Sequence, residues 1–325
     1  MPDSPLGLYQ AKNDRISKNN GRIVLAPSSG LMYHMLDQDT GADHIMEIVE
    51  VNTMSLFVID KSKCKKDNIC VAVCPLGIIE SVDGVPRPAK NAEKLCVSCG
   101  HCVAACPTGA LSHRAMTPEQ CTPIKPELSL TTGQAEQFLR GRRSIRAYRS
   151  DPVDRAALER IIGIASVAPS GHNTQPVEWL IILNTSEVRR LTGMVVDWMR
   201  FMIKEKPDFA KALLLEHVVS KWEQGIDAVC RSAPHVVLTH AHKDNIMASS
   251  ACTIALAHLE LAAQANGLGA CWAGYFDVAA RYWPPLQKEL GLPEGHTSYG
   301  AMMVGHPKYK YYRIPSRKQA RISWK

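Results

Sequence analysis

The sequence predicts a chain of mixed helix and strand in two parts, a small metal-held module followed by a larger domain. Two observations carry this. Seven of the eleven cysteines fall between Cys64 and Cys106, in a stretch of short loops with little apolar bulk. A segment that small usually needs metal to hold its fold. From residue 133 onward, apolar residues recur at helical spacing, interrupted by short apolar blocks of strand length.

Residues 1–53 hold no cysteine and little periodicity, and Asn19-Asn20-Gly21 and Ser28-Ser29-Gly30 are turn signals. We expect a disordered leader or a mis-assigned start, with the true start at Met46 or Met54. Residues 55–115 form the cysteine-rich module. Residues 116–132, with Pro118, Pro123 and Pro126, read as a linker. In the domain from 133 to 325, Asp151-Pro152 is expected to cap a helix running through Ile162, with Leu158, Ile161, Ile162 and Ala165 on one face. Trp179–Leu183 and His235–Thr239 read as buried strands. Helices are expected over about 187–204, 208–224 and 246–266, the last stopped by Asn266-Gly267. A strand at 270–273, a helix near 278–290 and a strand at 299–304 precede a basic, aromatic tail.

A length of 325 residues accommodates two domains. Hydrophobic content of 46% and charged content of 21% are ordinary for a globular protein. The net charge of +7 is a mild bias, and no Lys/Arg run is long enough for a nucleic-acid tail. It suits an anionic cofactor or acidic redox partner, or simply a solvated basic surface. No apolar run reaches the roughly 18 residues of a membrane span, and the N-terminus lacks a signal-peptide pattern. Cysteines spaced for thiolate ligation imply a reducing compartment. The expectation is a cytoplasmic protein with neither nucleic acid nor membrane as partner.

The second cysteine group reads Cys96-x2-Cys99-x2-Cys102-x3-Cys106-Pro107. The first reads Cys64-x5-Cys70-x3-Cys74-Pro75, with Asp67 where a fourth cysteine would stand. This spacing resembles the bacterial two-cluster ferredoxins, in which the fourth cysteine of each group ligates the other cluster. The resemblance implies two 4Fe-4S clusters. Cys96, Cys99, Cys102 and Cys74 would hold one, and Cys64, Cys70 and Cys106, with Asp67, the other. Zinc also favours cysteine pairs, but the doubled Cys-Pro pattern argues against it. A carboxylate holds iron less tightly than a thiolate. The Asp67 cluster is therefore open to three readings: a 4Fe-4S cluster with one labile iron, a 3Fe-4S cluster, or a cluster that Asp67 lines only as a polar loop residue. Cys121, Cys230, Cys252 and Cys271 lie outside the spacing, and Cys252 and Cys271, in apolar surroundings, read as core residues.

Three stretches of the larger domain resemble the nitroreductase family of FMN-dependent oxidoreductases: Arg142-Arg143-Ser144-Ile145-Arg146, Ala168-Pro169-Ser170-Gly171-His172-Asn173-Thr174-Gln175-Pro176, and Gly267-Leu268-Gly269-Ala270-Cys271-Trp272-Ala273-Gly274-Tyr275-Phe276. Guanidinium forks and a hydroxyl suit the phosphate of FMN. The resemblance implies that Arg142, Arg143, Ser144 and Arg146 hold it, with Arg317 of the tail completing the site. It places Pro169, Ser170, Asn173 and Gln175 at the polar edge of the flavin ring, and Gly274 and Tyr275 on its other side. Read without the other two stretches, 142–146 is a basic helix end before it is a phosphate site, and His172 is a turn residue rather than a proton donor.

The implied fold is α+β, a nitroreductase-like mixed sheet wrapped by helices and preceded by the small ferredoxin domain. The implied assembly is a homodimer with FMN at its interface. The implied function is an iron–sulfur flavoprotein oxidoreductase. Electrons would pass from a ferredoxin-like or NAD(P)H donor to FMN and on to a nitroaromatic- or quinone-like acceptor. No side chain is required as an obligate catalytic acid. The alternative is an electron-transfer or redox-sensing relay to a partner protein. Trp198, Phe201, Met202 and Trp222 read either as core or as a cover over a substrate site.

Overall fold

The computed structural model describes residues 55–325 and, ahead of them, a hairpin of β1 (Ser17–Asn19) and β2 (Arg22–Val24). The two strands pair antiparallel, Asn19 opposite Arg22. The remaining expectations for residues 1–53, including a start at Met46 or Met54, fall outside the described residues.

The cysteine-rich module is closed by its ends. Strand β3 (Phe57–Ile59) pairs antiparallel with β6 (Leu111–His113). Between them run α1 (Ile69–Ala72), the hairpin of β4 (Ile79–Val82) and β5 (Val85–Pro88), α2 (Ala92–Leu95) and α3 (His101–Ala104). Its core is small: Leu56, Phe57, Ile78, Ile79, Val103 and Leu111, with Cys70 buried among them. The linker crosses the surface through short 3-10 turns at Pro118–Gln120 and Pro126–Leu128.

The larger domain begins with α4 (Thr132–Gly141), which none of the expected elements covers. Its start is set by a capping box, Thr131 Oγ1 accepting from Gln134 N while Gln134 Oε1 accepts from Thr131 N. Next comes α5 (Arg155–Ala165), whose cap is Asp154 and not the expected Asp151. Asp154 accepts from Ala157 N, whereas Asp151 is held by Arg149. Val153 is tied to a neighbouring strand, its N–H donating to His235 Nε2 at 2.8 Å, so the helix can begin only after it.

There follow β7 (Glu178–Ile182), α6 (Thr185–Glu205), α7 (Pro207–Ala212), α8 (Leu215–Glu223), β8 (His235–His242), α9 (Ala248–Ala265), β9 (Gly269–Trp272), α10 (Gly274–Tyr282), α11 (Pro284–Leu290) and β10 (His296–Gly305). The expected helix over 208–224 breaks at Leu214, which is left-handed at φ 55°. The expected helix near 278–290 is two helices, because Pro284 cannot continue α10.

The strands form one sheet in the order β7-β8-β10-β9, antiparallel at every pairing. Both faces are covered. Val236, Leu238, Ala301 and Met303 face α6, α8, α10 and α11, through Val195, Met199, Leu215, Phe276 and Leu286. Val237, Met302 and Val304 face α5 and α9, through Leu158, Ile161, Leu256 and Leu259. Successive strand residues point to opposite faces, so burial on both sides makes β8 and β10 read as unbroken apolar runs. Among the described residues no helix is long and apolar enough to cross a membrane.

Candidate functional site

The cysteines gather into two groups. Cys74, Cys96, Cys99 and Cys102 line one pocket of the module, and Cys64, Asp67, Cys70 and Cys106 line a second. Each group draws on both halves of the sequence repeat, because each Cys-Pro turn carries its cysteine across to the other half. Backbone amides point at the sulfurs: Ser98 N donates to Cys96 Sγ at 3.4 Å and Ala110 N to Cys106 Sγ at 3.2 Å. Burial pushes the Cys102 thiol up to about 11. At Cys106 burial also pushes upward, but the Ala110 and Thr108 hydrogen bonds outweigh it and the thiol falls below its ordinary value. Four sulfurs in one pocket, and three with a carboxylate in the other, are donor sets that fit iron–sulfur clusters. Asp67 Oδ1 also accepts from Ile69 N at 3.1 Å, so the side chain orders the start of α1 whatever else it holds.

His113 was not foreseen from the sequence. It lies buried at the end of β6 with Nε2 3.5 Å from Cys96 Sγ. Ala115 N donates to Nδ1 at 3.0 Å. Burial holds the ring's pKa below its usual value, so the ring is neutral and its proton sits on Nε2, facing the sulfur. The signal available was a lone histidine seven residues after Cys106, which is no motif.

Gly100 stands inside the Cys96–Cys102 loop at φ 74°. A Cβ there would also lie 2.5 Å from Met116 Sδ, so this position needs glycine twice over.

The module meets the larger domain through this loop. Asn173 Nδ2 donates to Val97 O at 3.1 Å and to Ser98 O at 3.2 Å, the two residues between Cys96 and Cys99. Asn173 Oδ1 accepts from Gln175 Nε2, and Gln175 N donates to Ser170 Oγ. His172, Asn173 and Gln175 all have positive φ, so the segment is a tight, strained bend fixed by these bonds. Ser170, Asn173 and Gln175 therefore sit together, with the exposed Pro169 just before them.

The 142–146 segment runs along β9, with Ile145 N donating to Ala270 O at 3.0 Å. A Cβ on Gly269 would meet Ile145 at 2.6 Å, so glycine permits this approach. A cavity of about 550 Å³ opens on one side, lined by Arg142, Arg143, Arg149, Lys308 and Lys310 against the single carboxylate of Glu260. Arg142 pairs with Glu260 at 2.5 Å and reaches Ser144 Oγ at 3.4 Å. Arg143 Nε is buried without a partner. An unpartnered guanidinium donor in a cationic cavity fits an anion such as phosphate. A second cavity of about 430 Å³ is lined by Arg146, Arg231, Cys271, Trp272, Gly274, Tyr275 and Met303. Tyr275 is held by its hydroxyl, which donates to Leu213 O at 2.9 Å.

Arg317 lines neither of these cavities; the tail reaches the first through His306 to Tyr311. The 170–175 bend is not at either cavity. Met247, at the start of α9, packs against Gly171, while Arg142 pairs with Glu260 thirteen residues further along that helix. At 1.5 Å per residue the two groups are about 20 Å apart along the axis. Trp198, Met202 and Trp222 belong to the core, and Phe201 packs on Trp283 with ring centroids 5.1 Å apart.

The family model described as the nitroreductase family matches residues 139–306, and that of a 4Fe-4S dicluster domain matches residues 62–111. A provisionally named NADH dehydrogenase/NAD(P)H nitroreductase of Archaeoglobus fulgidus is 25% identical over 167 residues, covering 51% of this chain and 82% of the relative. A protein of the same name from Methanothermobacter thermautotrophicus is 22% identical over 171 residues, covering 53% and 76%. Among solved structures, a nitroreductase with bound FMN from Bacteroides fragilis aligns at 20% identity and a TM-score of 0.47, over 59% of this chain and all of that one. The match from the 142–146 run to the end of β10 takes in just over half of the sequence: the chain belongs to the nitroreductase family and is an oxidoreductase of that type, with a 4Fe-4S dicluster domain ahead of it.

Proposed function

We propose that this chain is an iron–sulfur flavoprotein that passes electrons from a low-potential donor, through clusters in the N-terminal module, to FMN and on to a small acceptor of nitroaromatic or quinone type. Iron–sulfur clusters transfer single electrons, and FMN exchanges them singly or in pairs. The observation that carries this reading is the Asn173 contact. The segment expected to border the flavin is hydrogen-bonded to the Cys96–Cys99 loop, which supports a path from that cluster to a flavin beside Asn173.

Each residue then has a task. Cys74, Cys96, Cys99 and Cys102 hold the cluster nearest the larger domain. Cys64, Cys70, Cys106 and Asp67 hold the outer one, where a carboxylate among the donors favours a labile iron or a 3Fe-4S form. Arg142, Arg143, Ser144 and Arg146 hold the flavin phosphate and ribityl chain, joined by Lys308 and Lys310 in place of Arg317. Gly274 and Tyr275 shape the second cavity for the ring and acceptor. That cavity favours a small-molecule acceptor over a relay to a protein partner, which would need none. Ser170, Asn173 and Gln175 stand about 20 Å from the Arg142 group along α9, too far to share its cavity. A second copy would bring the two groups together, which supports a homodimer.

Anaerobic stopped-flow measurement tests the path. With reduced ferredoxin as donor, Asn173→Ala slows flavin reduction, while reduction of the flavin by dithionite stays at the wild-type rate. Equal flavin reduction from ferredoxin in both proteins would refute the path.

A further inference from the structure

The end of the sheet where β7 and β10 begin and β8 finishes carries a second set of donors, distinct from the thiolates and from the cavities at β9. Strand register places it. Glu178 stands opposite His240 across β7 and β8, and His296 stands opposite His242 across β10 and β8. Directly opposed residues share a face of the sheet, and so do residues two apart on one strand. All four side chains therefore leave the sheet on the same face, although Glu178 and His296 lie well over a hundred residues apart in sequence.

Their ligand atoms converge. One donor atom from each of Glu178, His240 and His296 lies within 4.8 Å of the other two. His240 Nδ1 is 3.0 Å from His296 Nδ1, and Glu178 Oε1 is 3.9 Å from His296 Nε2. The His242 ring meets His296 edge-on, with centroids 5.8 Å apart. Two imidazole nitrogens bound to one Zn²⁺ at about 2.0–2.1 Å in tetrahedral array stand roughly 3.4 Å apart. The observed nitrogen pair is thus within a few tenths of an ångström of a ligating pair. Its strand mounting fixes the ring positions before any ion arrives. His240 is buried and anchors the group; Glu178 is exposed and leaves the approach open.

We propose that Glu178, His240 and His296 form a site for a divalent transition-metal ion of the zinc type, with solvent completing its coordination. Two imidazoles with one carboxylate, and no thiolate, match the borderline ligand preference of that ion. The ion would pin β7, β8 and β10 together at one end of the sheet. Only Pro176 and Val177 separate Glu178 from Gln175. Occupancy would therefore also fix where the 170–175 bend leaves the sheet. The site stands or falls independently of the electron path proposed above.

Co²⁺ alone, added to the full chain with its clusters and flavin in place, provides the test. The expected result is one Co²⁺ per chain, with visible d–d bands of nitrogen and oxygen ligation and no thiolate charge-transfer band. Zn²⁺ displaces it. Glu178→Gln and His296→Gln each weaken binding by about tenfold or more. Both positions are outside the buried core, so these variants report even if His240→Gln fails to fold. A thiolate-type spectrum, binding unchanged in both variants, or no stoichiometric uptake would overturn the site.

Discussion

His113 shows how one side chain can set the behaviour of a cluster. A hydrogen bond to a ligating sulfur stabilises the reduced, more negative state. A neutral hydrogen bond contributes about 1 kcal/mol, and for a one-electron couple that corresponds to roughly 40 mV. His113→Phe should lower the potential of one cluster by about that amount and leave the other unmoved, as read by EPR-monitored redox titration. Asp67 offers the complementary test. Asp67→Cys should retain the full iron complement through mild oxidation, and the wild type should lose iron from the proposed outer cluster. Arg142 carries a structural duty besides its proposed one. Removing it leaves the Glu260 carboxylate in a largely buried place without a partner, a loss of about 3 kcal/mol. Arg142→Ala should lower the thermal midpoint in the absence of FMN, and Arg142→Ala/Glu260→Gln should recover much of it.

At the scale of elements, the two most consequential segments are held by backbone geometry that few residues tolerate. In the Cys96–Cys102 loop, Gly100→Ala brings a left-handed penalty of about 1–2 kcal/mol and a collision with Met116. Met116→Ala removes the collision but not the conformational cost. The single variant should therefore lose iron readily on purification, and the double variant should lose less. The 170–175 bend keeps three non-glycine residues at positive φ, held by the Asn173, Gln175 and Ser170 hydrogen bonds. The sequence marked this stretch through its turn residues and its family likeness. It gave no sign that the Asn173 amide turns toward the cluster loop, because that partner is distant in the chain.

For the molecule as a whole, buried histidines link stability to pH. His235 joins three segments: Nε2 accepts from Val153 N, and Nδ1 donates to Leu183 O at 2.7 Å. Burial, the largest influence, lowers its pKa in the fold. The unfolded chain therefore binds the proton more readily. Stability from this group is complete above the ordinary histidine value of about 6.5 and is lost as pH falls toward the folded value. The expected slope is up to about 1.4 kcal/mol per pH unit. His235→Asn should be less stable throughout but show a shallower decline between pH 7 and 5.5. The two parts of the molecule should also differ in their need for metal. Chelation of the clusters should open residues 55–115 to protease while 132–306 stay protected, since the module's core is a handful of side chains and the larger domain has cores on both faces of its sheet.

The sequence by itself determined the cysteine groups, the places of α6, α9 and the four strands of the larger domain, and the family, because these rest on local spacing, periodicity and turn residues. Its misreadings were local competitions. Asp151 was the expected cap of α5, and Val153's bond to His235 delays the helix until Asp154 caps it. Only the tertiary structure decided which groups meet: Asn173 with the Cys96–Cys99 loop, His113 with Cys96, Lys308 and Lys310 rather than Arg317 at the cationic cavity, and Glu178 with His240 and His296. Each of these depends on the register of an antiparallel sheet or the packing of a helix, which join residues that no local pattern connects.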